Sequence, residues 1–193
     1  TLTASKPGSS DVEVKTNYIT VYAKPAADFL MSNDTTCLNQ SITFTDASVI
    51  SAGGAPIATW NWDYGDGNTQ TVNSSPVTHS FTTAGLFPVG LIVTDQNGCT
   101  HAISHNIKVT TFPTPSFTAT PVFSCTAPLN VAFTTTSATV SGATFLWRFG
   151  DGATSTLDSP FHTFSSPIIY ENKLIVYDTV TGCEDTAVIF VDF

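Results

Sequence analysis

The chain has 193 residues, 41% of them hydrophobic, with six Lys and Arg against fifteen Asp and Glu and a formal net charge of −9. That length allows one large or two small domains, and the apolar content supports a packed core rather than disorder. So few cations exclude the basic stripe that nucleic acid or an anionic membrane surface requires, and no apolar run reaches the ~20 residues of a bilayer span.

Threonine is abundant, and 14 Phe stand against one Met, a bias toward strands and turns. In chain order, residues 1–24 precede Pro25, and Ile19 and Val21 alternate near the end of that segment. Ile42 and Phe44 then alternate as in a half-buried strand. Trp60-Asn-Trp-Asp-Tyr64 places Trp60, Trp62 and Tyr64 on one side of a strand and stops at Gly65-Asp66-Gly67. The glycines permit the sharp exit, and Asp66 can lock the turn by accepting backbone amides. Pro76–Phe81 and Gly85–Asp95 read as further strands, the second with Phe87, Val89, Leu91 and Val93 on one face. A Gly98-Cys99 turn leads into a strand carrying His101 and His105. Their Cα atoms are expected about 13 Å apart, too far for these two alone to share a metal.

The same phrases then return. Cys37 falls 88 residues before Cys125, Trp62 falls 85 before Trp147, and Gly98-Cys99 falls 84 before Gly182-Cys183. Gly150-Asp151-Gly152 repeats the turn after Phe145, Trp147 and Phe149, and Val131 and Phe133 repeat the alternation of Ile42 and Phe44. His79 and His162 match, each two residues before a phenylalanine, as repeat-matched structural hydrogen-bonding residues do. Self-similarity at this period predicts two tandem all-β sandwiches, 25–111 and 112–193, joined near Thr111-Phe-Pro-Thr-Pro115.

Trp62-Asp-Tyr-Gly-Asp-Gly67 resembles the hallmark Trp-Asp-Phe-Gly-Asp-Gly of the polycystic-kidney-disease (PKD) domain. Pro76-Val-Thr-His-Ser-Phe81 and Gly85-Leu-Phe-Pro-Val-Gly-Leu-Ile-Val-Thr-Asp95 resemble that family's next two strands. The resemblance covers nearly all of 26–109 and 116–193. It implies immunoglobulin-like sandwiches, extracellular and in strings. Residues 1–24 resemble the last two strands of a further, incomplete PKD unit, with a stand-alone hairpin as the alternative. The second unit departs from the pattern at Arg148, Ile168 and Asn172, which predicts either a shifted register toward its carboxyl end or a bulge near 168–172. Some PKD domains hold calcium, and Asp63 with Asp66 would be the donors here, but Arg148 puts a cation at the matching place. No metal or cofactor is expected.

Cys37, Cys99, Cys125 and Cys183 contain no C-x-x-C spacing, and an even, widely spaced set fits an oxidising compartment, with buried free thiols as the alternative. A cysteine pair in each unit resembles a variant of secreted Bacteroidetes-type proteins. Repeat equivalence then leads to the expected pairing Cys37–Cys99 and Cys125–Cys183. Asp178-Thr-Val and Asp185-Thr-Ala resemble O-glycosylation sites of such proteins, and Asn33, Asn39 and Asn73 open sequons. Nucleophile, zinc-hydrolase and phosphate-loop motifs do not occur, so no catalytic residue is assigned. The leading expectation is a non-catalytic spacer, stalk or adhesin segment. Its partners would be neighbouring modules of the same polypeptide, other protein chains or surface glycans. The alternative is an accessory substrate-binding module of a secreted hydrolase.

Overall fold

The computed structural model describes residues 2–15, 21–137 and 142–192. β1 (Leu2–Lys6) and β2 (Ser9–Glu13) form an antiparallel hairpin about Pro7-Gly8 that joins no other described strand. Val12 in β2 and Val14 just after it are exposed, as are Val21 and Tyr22. The strand expected through Ile19 falls on 16–20, outside the described residues.

The first sandwich pairs a small sheet with a larger one. β3 (Phe29–Met31), β5 (Ser41–Asp46) and β8 (Val77–Ser80) make the three-stranded sheet. The five-stranded sheet runs β4 (Thr35–Cys37), β10 (Thr100–Thr110), β9 (Gly85–Asp95), β6 (Ile57–Asp63), β7 (Thr69–Val72). All neighbours are antiparallel except β4, which lies parallel to β10 with Cys37 opposite Thr110.

Period-two patterning decides which side chains meet between the sheets. Ile42 and Phe44 from the small sheet face Trp62, Val89, Leu91, Val93, Ile107 and Val109 from the large one, all buried in one cluster. Phe29 meets the Trp62 ring edge-on at 5.1 Å, a favoured aromatic arrangement. Trp60, on the same side of β6, is only half-buried at the rim.

The second sandwich repeats this plan. β11 (Phe117–Thr120), β12 (Leu129–Thr135) and β15 (Phe161–Phe164) form one sheet. β14 (Thr154–Ser155), β13 (Ala143–Arg148), β16 (Tyr170–Asp178) and β17 (Glu184–Val191) form the other. Trp147 takes the place of Trp62, fully buried against Phe117 and Phe133, and its indole Nε1 donates to the Leu157 carbonyl at 2.8 Å. The chain is therefore all-β, in tandem immunoglobulin-like sandwiches.

The bulge expected near 168–172 is not there. β16 pairs with β17 in unbroken register from Tyr170–Val191 to Tyr177–Glu184, and Ile168 sits exposed before the strand. Asn172 stays in register at a core position because its amide is satisfied: Nδ2 donates to the Tyr170 carbonyl and Oδ1 accepts from the Gly150 amide. A buried polar group with partners costs little, so no shift of the strand is needed to expel it. The register break lies instead in the first sandwich, between Ile57 and Thr59 on β6.

Replacing Trp62 or Trp147 with Ala should cost about 3–5 kcal/mol, close to the whole stability of a small domain. Denaturant melts of the two variants check this; a loss below about 1 kcal/mol contradicts the burial.

Candidate functional site

Two places concentrate polar and reactive side chains: the turn after the aromatic strand of each sandwich, and the seam where the sandwiches meet. In the turn, Tyr64 continues the inward face of β6 and the next three residues reverse the chain. Gly65 has a positive φ of 74°, and a Cβ there would lie 2.8 Å from the Pro88 carbonyl oxygen, so only glycine fits against β9. At Gly150 close approach alone is the constraint: a Cβ there would lie 2.8 Å from the Glu171 nitrogen. Gly67 and Gly152 complete the turns.

Asp66 and Asp151 then do the same work twice. The Asp66 carboxylate accepts the Asn68 amide at 3.0 Å and sits 2.7 Å from His79 Nε2; Asp151 accepts the Ala153 amide at 3.1 Å and sits 2.7 Å from His162 Nε2. Each histidine ring stacks on the aromatic of its own turn, His79 on Tyr64 at 3.9 Å and His162 on Phe149 at 4.1 Å. The turn is thereby clamped to the opposite sheet, since β8 and β15 carry the histidines. Burial pushes both carboxyls up, but the hydrogen bonds from His79 and Asn68, and from His162 and Ala153, outweigh it and hold both below the ordinary range. Asp63 is occupied by the Gly65 amide at 2.9 Å. The other two histidines are also engaged: His101 Nδ1 accepts the Ala27 amide, and His105 Nε2 lies 3.1 Å from Asp28. Among the described residues no three His, Cys, Asp or Glu side chains converge as a metal site would require.

At the seam the structure overturns the expected disulfides. Cys37 is bonded to Cys183, across the two sandwiches, with Cα atoms 5.7 Å apart, and Cys99 and Cys125 are free thiols. The reason lies in strand length. Cys99 directly precedes β10, whereas Cys37 sits beside Thr110 at the other end of that strand. Eleven residues at about 3.4 Å each put the two cysteines roughly 37 Å apart, against the ~6 Å a disulfide spans. In the second sandwich Cys183 precedes β17, while Cys125 follows Ser124, whose amide donates to Asp192 beyond that strand's far end.

The bridge has polar company. Thr110 Oγ1 lies 3.3 Å from Cys183 Sγ, and the Leu38 amide donates to the Thr110 carbonyl at 2.9 Å. A shallow cleft beside the bond is lined by Asn33, Thr36 and Gln40 of the first sandwich and by Phe112, Thr181 and Glu184. Asp178 anchors the turn that carries Cys183. Thr181 donates to it from its hydroxyl at 2.7 Å and the Val180 amide at 2.9 Å; these bonds, with the positive field of Lys108 from the first sandwich, hold its carboxyl low. The repeat named all four cysteines from the sequence; the length of β10 was the overlooked signal for their partners.

Carboxyls held low in the folded state supply stability that is complete above the unfolded value of about 3.9 and is lost as pH falls through the folded value. Changing both Asp66 and Asp151 to Asn should flatten the drop in melting temperature between about pH 5 and pH 2. An acid slope equal to that of the parent protein contradicts the clamp.

The comparisons bear on this geometry as a whole. A family profile described as PKD domain matches residues 22–111 and 113–191. No curated protein matches the chain. Among solved structures, the PKD1 domain of the Vibrio cholerae metalloprotease PrtV is 31% identical, covering 45% of this chain and 98% of that one, at a TM-score of 0.39. The PKD1 domain of Vibrio anguillarum Epp is 24% identical, covering 47% and 99%, at 0.40. A structure of carbohydrate-binding modules from the β-sandwich superfamily is 20% identical over 90% and 86%, at 0.45. At such TM-scores these pairs carry no argument, and the assignment rests on the profile, which spans both sandwiches: the chain belongs to the PKD domain family and contains two consecutive members of it.

Proposed function

We propose that the chain is a non-catalytic extracellular spacer, a length of stalk or adhesin that holds other parts of a surface protein at a distance. The observation that carries this reading is the Cys37–Cys183 bond, which ties two sandwiches end to end. A linker of a few residues between β-sandwiches ordinarily leaves a hinge. A covalent bridge on top of the Thr111–Pro115 linker gives the joint a second attachment and removes much of that freedom. Disulfides persist in oxidising surroundings, which supports the extracellular placement.

The accessory-module reading needs a row of exposed aromatics, and tryptophan does not provide one. Trp62 and Trp147 are fully buried and Trp60 is half-buried. The turn carboxylates are engaged by histidines and backbone amides, which supports a role for Asp66 and Asp151 in holding the turns.

A spacer should resist pulling, and the bond makes a sharp expectation. It closes a sequence separation of 146 residues, so force applied at the two ends bypasses everything between Cys37 and Cys183. Single-molecule extension of the oxidised chain should fall short of the reduced chain by about 500 Å of contour, at about 3.4 Å per residue. Extension identical with and without reductant contradicts the spacer reading, as does saturable, stoichiometric binding of one glycan that survives reduction of the bond.

A further inference from the structure

The two thiols left over occupy the positions whose counterparts are bonded. Cys125 is the repeat counterpart of Cys37, 88 residues on, and Cys99 is the counterpart of Cys183, 84 residues back. The local structure agrees with the sequence match. Cys37 and Cys125 both lie where a chain segment runs beside the end of the sandwich's last strand, through Leu38 to Thr110 in one case and Ser124 to Asp192 in the other. Cys99 and Cys183 both close a turn in which their own carbonyl accepts the amide of a turn aspartate, Asp95 at 3.0 Å and Asp178 at 2.8 Å, after a glycine of φ 82° or 76°.

The two kinds of cysteine therefore sit at opposite ends of each sandwich. The Cys37 kind lies at the end from which the chain leaves, and the Cys183 kind at the end where it arrives. The observed bond joins the leaving end of one sandwich to the arriving end of the next. Cys125 is exposed at the leaving end of the second sandwich, with Val122 and Phe123 beside it 48% and 60% exposed. In the first sandwich the corresponding stretch, Asn33 to Thr36, faces Thr181 and Glu184 of its neighbour.

We infer that Cys99 and Cys125 are the open ends of a disulfide ladder. Each is reserved for a further PKD module stacked end to end on this one: a module bearing a Gly-Cys turn on the Cys125 side, and one bearing a β4-type cysteine on the Cys99 side. The rule is one bond per joint, from the leaving end of module n to the arriving end of module n + 1. Each bond forms by thiol–disulfide exchange with an oxidised low-molecular-weight disulfide. The two thiols give up two protons and two electrons, one S–S bond forms, and the oxidant's S–S bond breaks to give two thiols. Spacing cysteines so that none can reach its own module's partner leaves every joint, and no module interior, cross-linked.

The test appends a second copy of residues 110–193 directly after Phe193, which matches Val109 of the first sandwich and so keeps the natural linker length, and refolds this three-module chain in a glutathione redox buffer. Non-reducing peptide mapping should find Cys37 bonded to Cys183 and Cys125 bonded to the appended copy's equivalent of Cys183. Two of the six thiols should then remain open to alkylation, Cys99 and the appended copy's equivalent of Cys125. Cys125→Ser should abolish the second bond and leave the first intact. Finding Cys37–Cys183 formed while Cys125 stays alkylatable overturns the ladder and leaves the single staple standing. Finding Cys125 bonded within its own module overturns both.

Discussion

The final strand of each sandwich runs from one end of the domain to the other, and that length governs what the cysteines can do. β10 carries eleven residues between the turn of Cys99 and the neighbour of Cys37. A disulfide reaches about 6 Å between Cα atoms, so a bond inside the module would require the sandwich to collapse. The same turn, one module later, lies beside Cys37 because the Thr111–Pro115 linker is short and β17 starts where the chain arrives. Of the cysteines that look paired inside each repeat, one from each, Cys37 and Cys183, is bonded to the other across the joint. The bond constrains the unfolded chain across most of its length, which is where a disulfide's stabilising effect is largest in the chain-entropy account.

Inside each sandwich the ordering element is the aromatic strand with its turn. Trp62 fills the space between the sheets, Tyr64 carries the same face to the edge, and His79 stacks on Tyr64 while gripping Asp66. The carboxylate in turn holds the backbone that reverses the strand. The chain of contacts runs from core to turn to opposite sheet without a break, and Trp147, Phe149, His162 and Asp151 repeat it. Expensive aromatic side chains stand directly before an abrupt turn because the turn is locked through them. Each sandwich thereby has its turn tied to the opposite sheet as well as its core.

Much of this was legible in the sequence. Period-two alternation at Ile42 and Phe44 and along Val89, Leu91 and Val93 gave the inward faces, and the repeated Gly-Asp-Gly gave the turns and the two-unit plan. What escaped were relations between distant residues. Asn172 looked like a defect in the pattern, because nothing local announces that its amide meets the Gly150 amide and the Tyr170 carbonyl. The pairing of His79 with Asp66 joins two sheets and carries no short-range signature. Equivalence between repeats does not give the cysteine partners, because it constrains which residues match and says nothing about whether matched residues bond within a unit or across the joint. Strand length in ångströms, rather than residue equivalence, was the deciding quantity.

The central claim is the bond across the joint, and the direct measurement is a non-reducing peptide map of the oxidised 193-residue chain with its free thiols alkylated first. The account predicts one cross-linked peptide pair containing Cys37 and Cys183, with Cys99 and Cys125 recovered as alkylated thiols from the monomer. Recovery of Cys37 with Cys99 and of Cys125 with Cys183 would contradict it, and would mean that the sandwiches are joined by their linker alone.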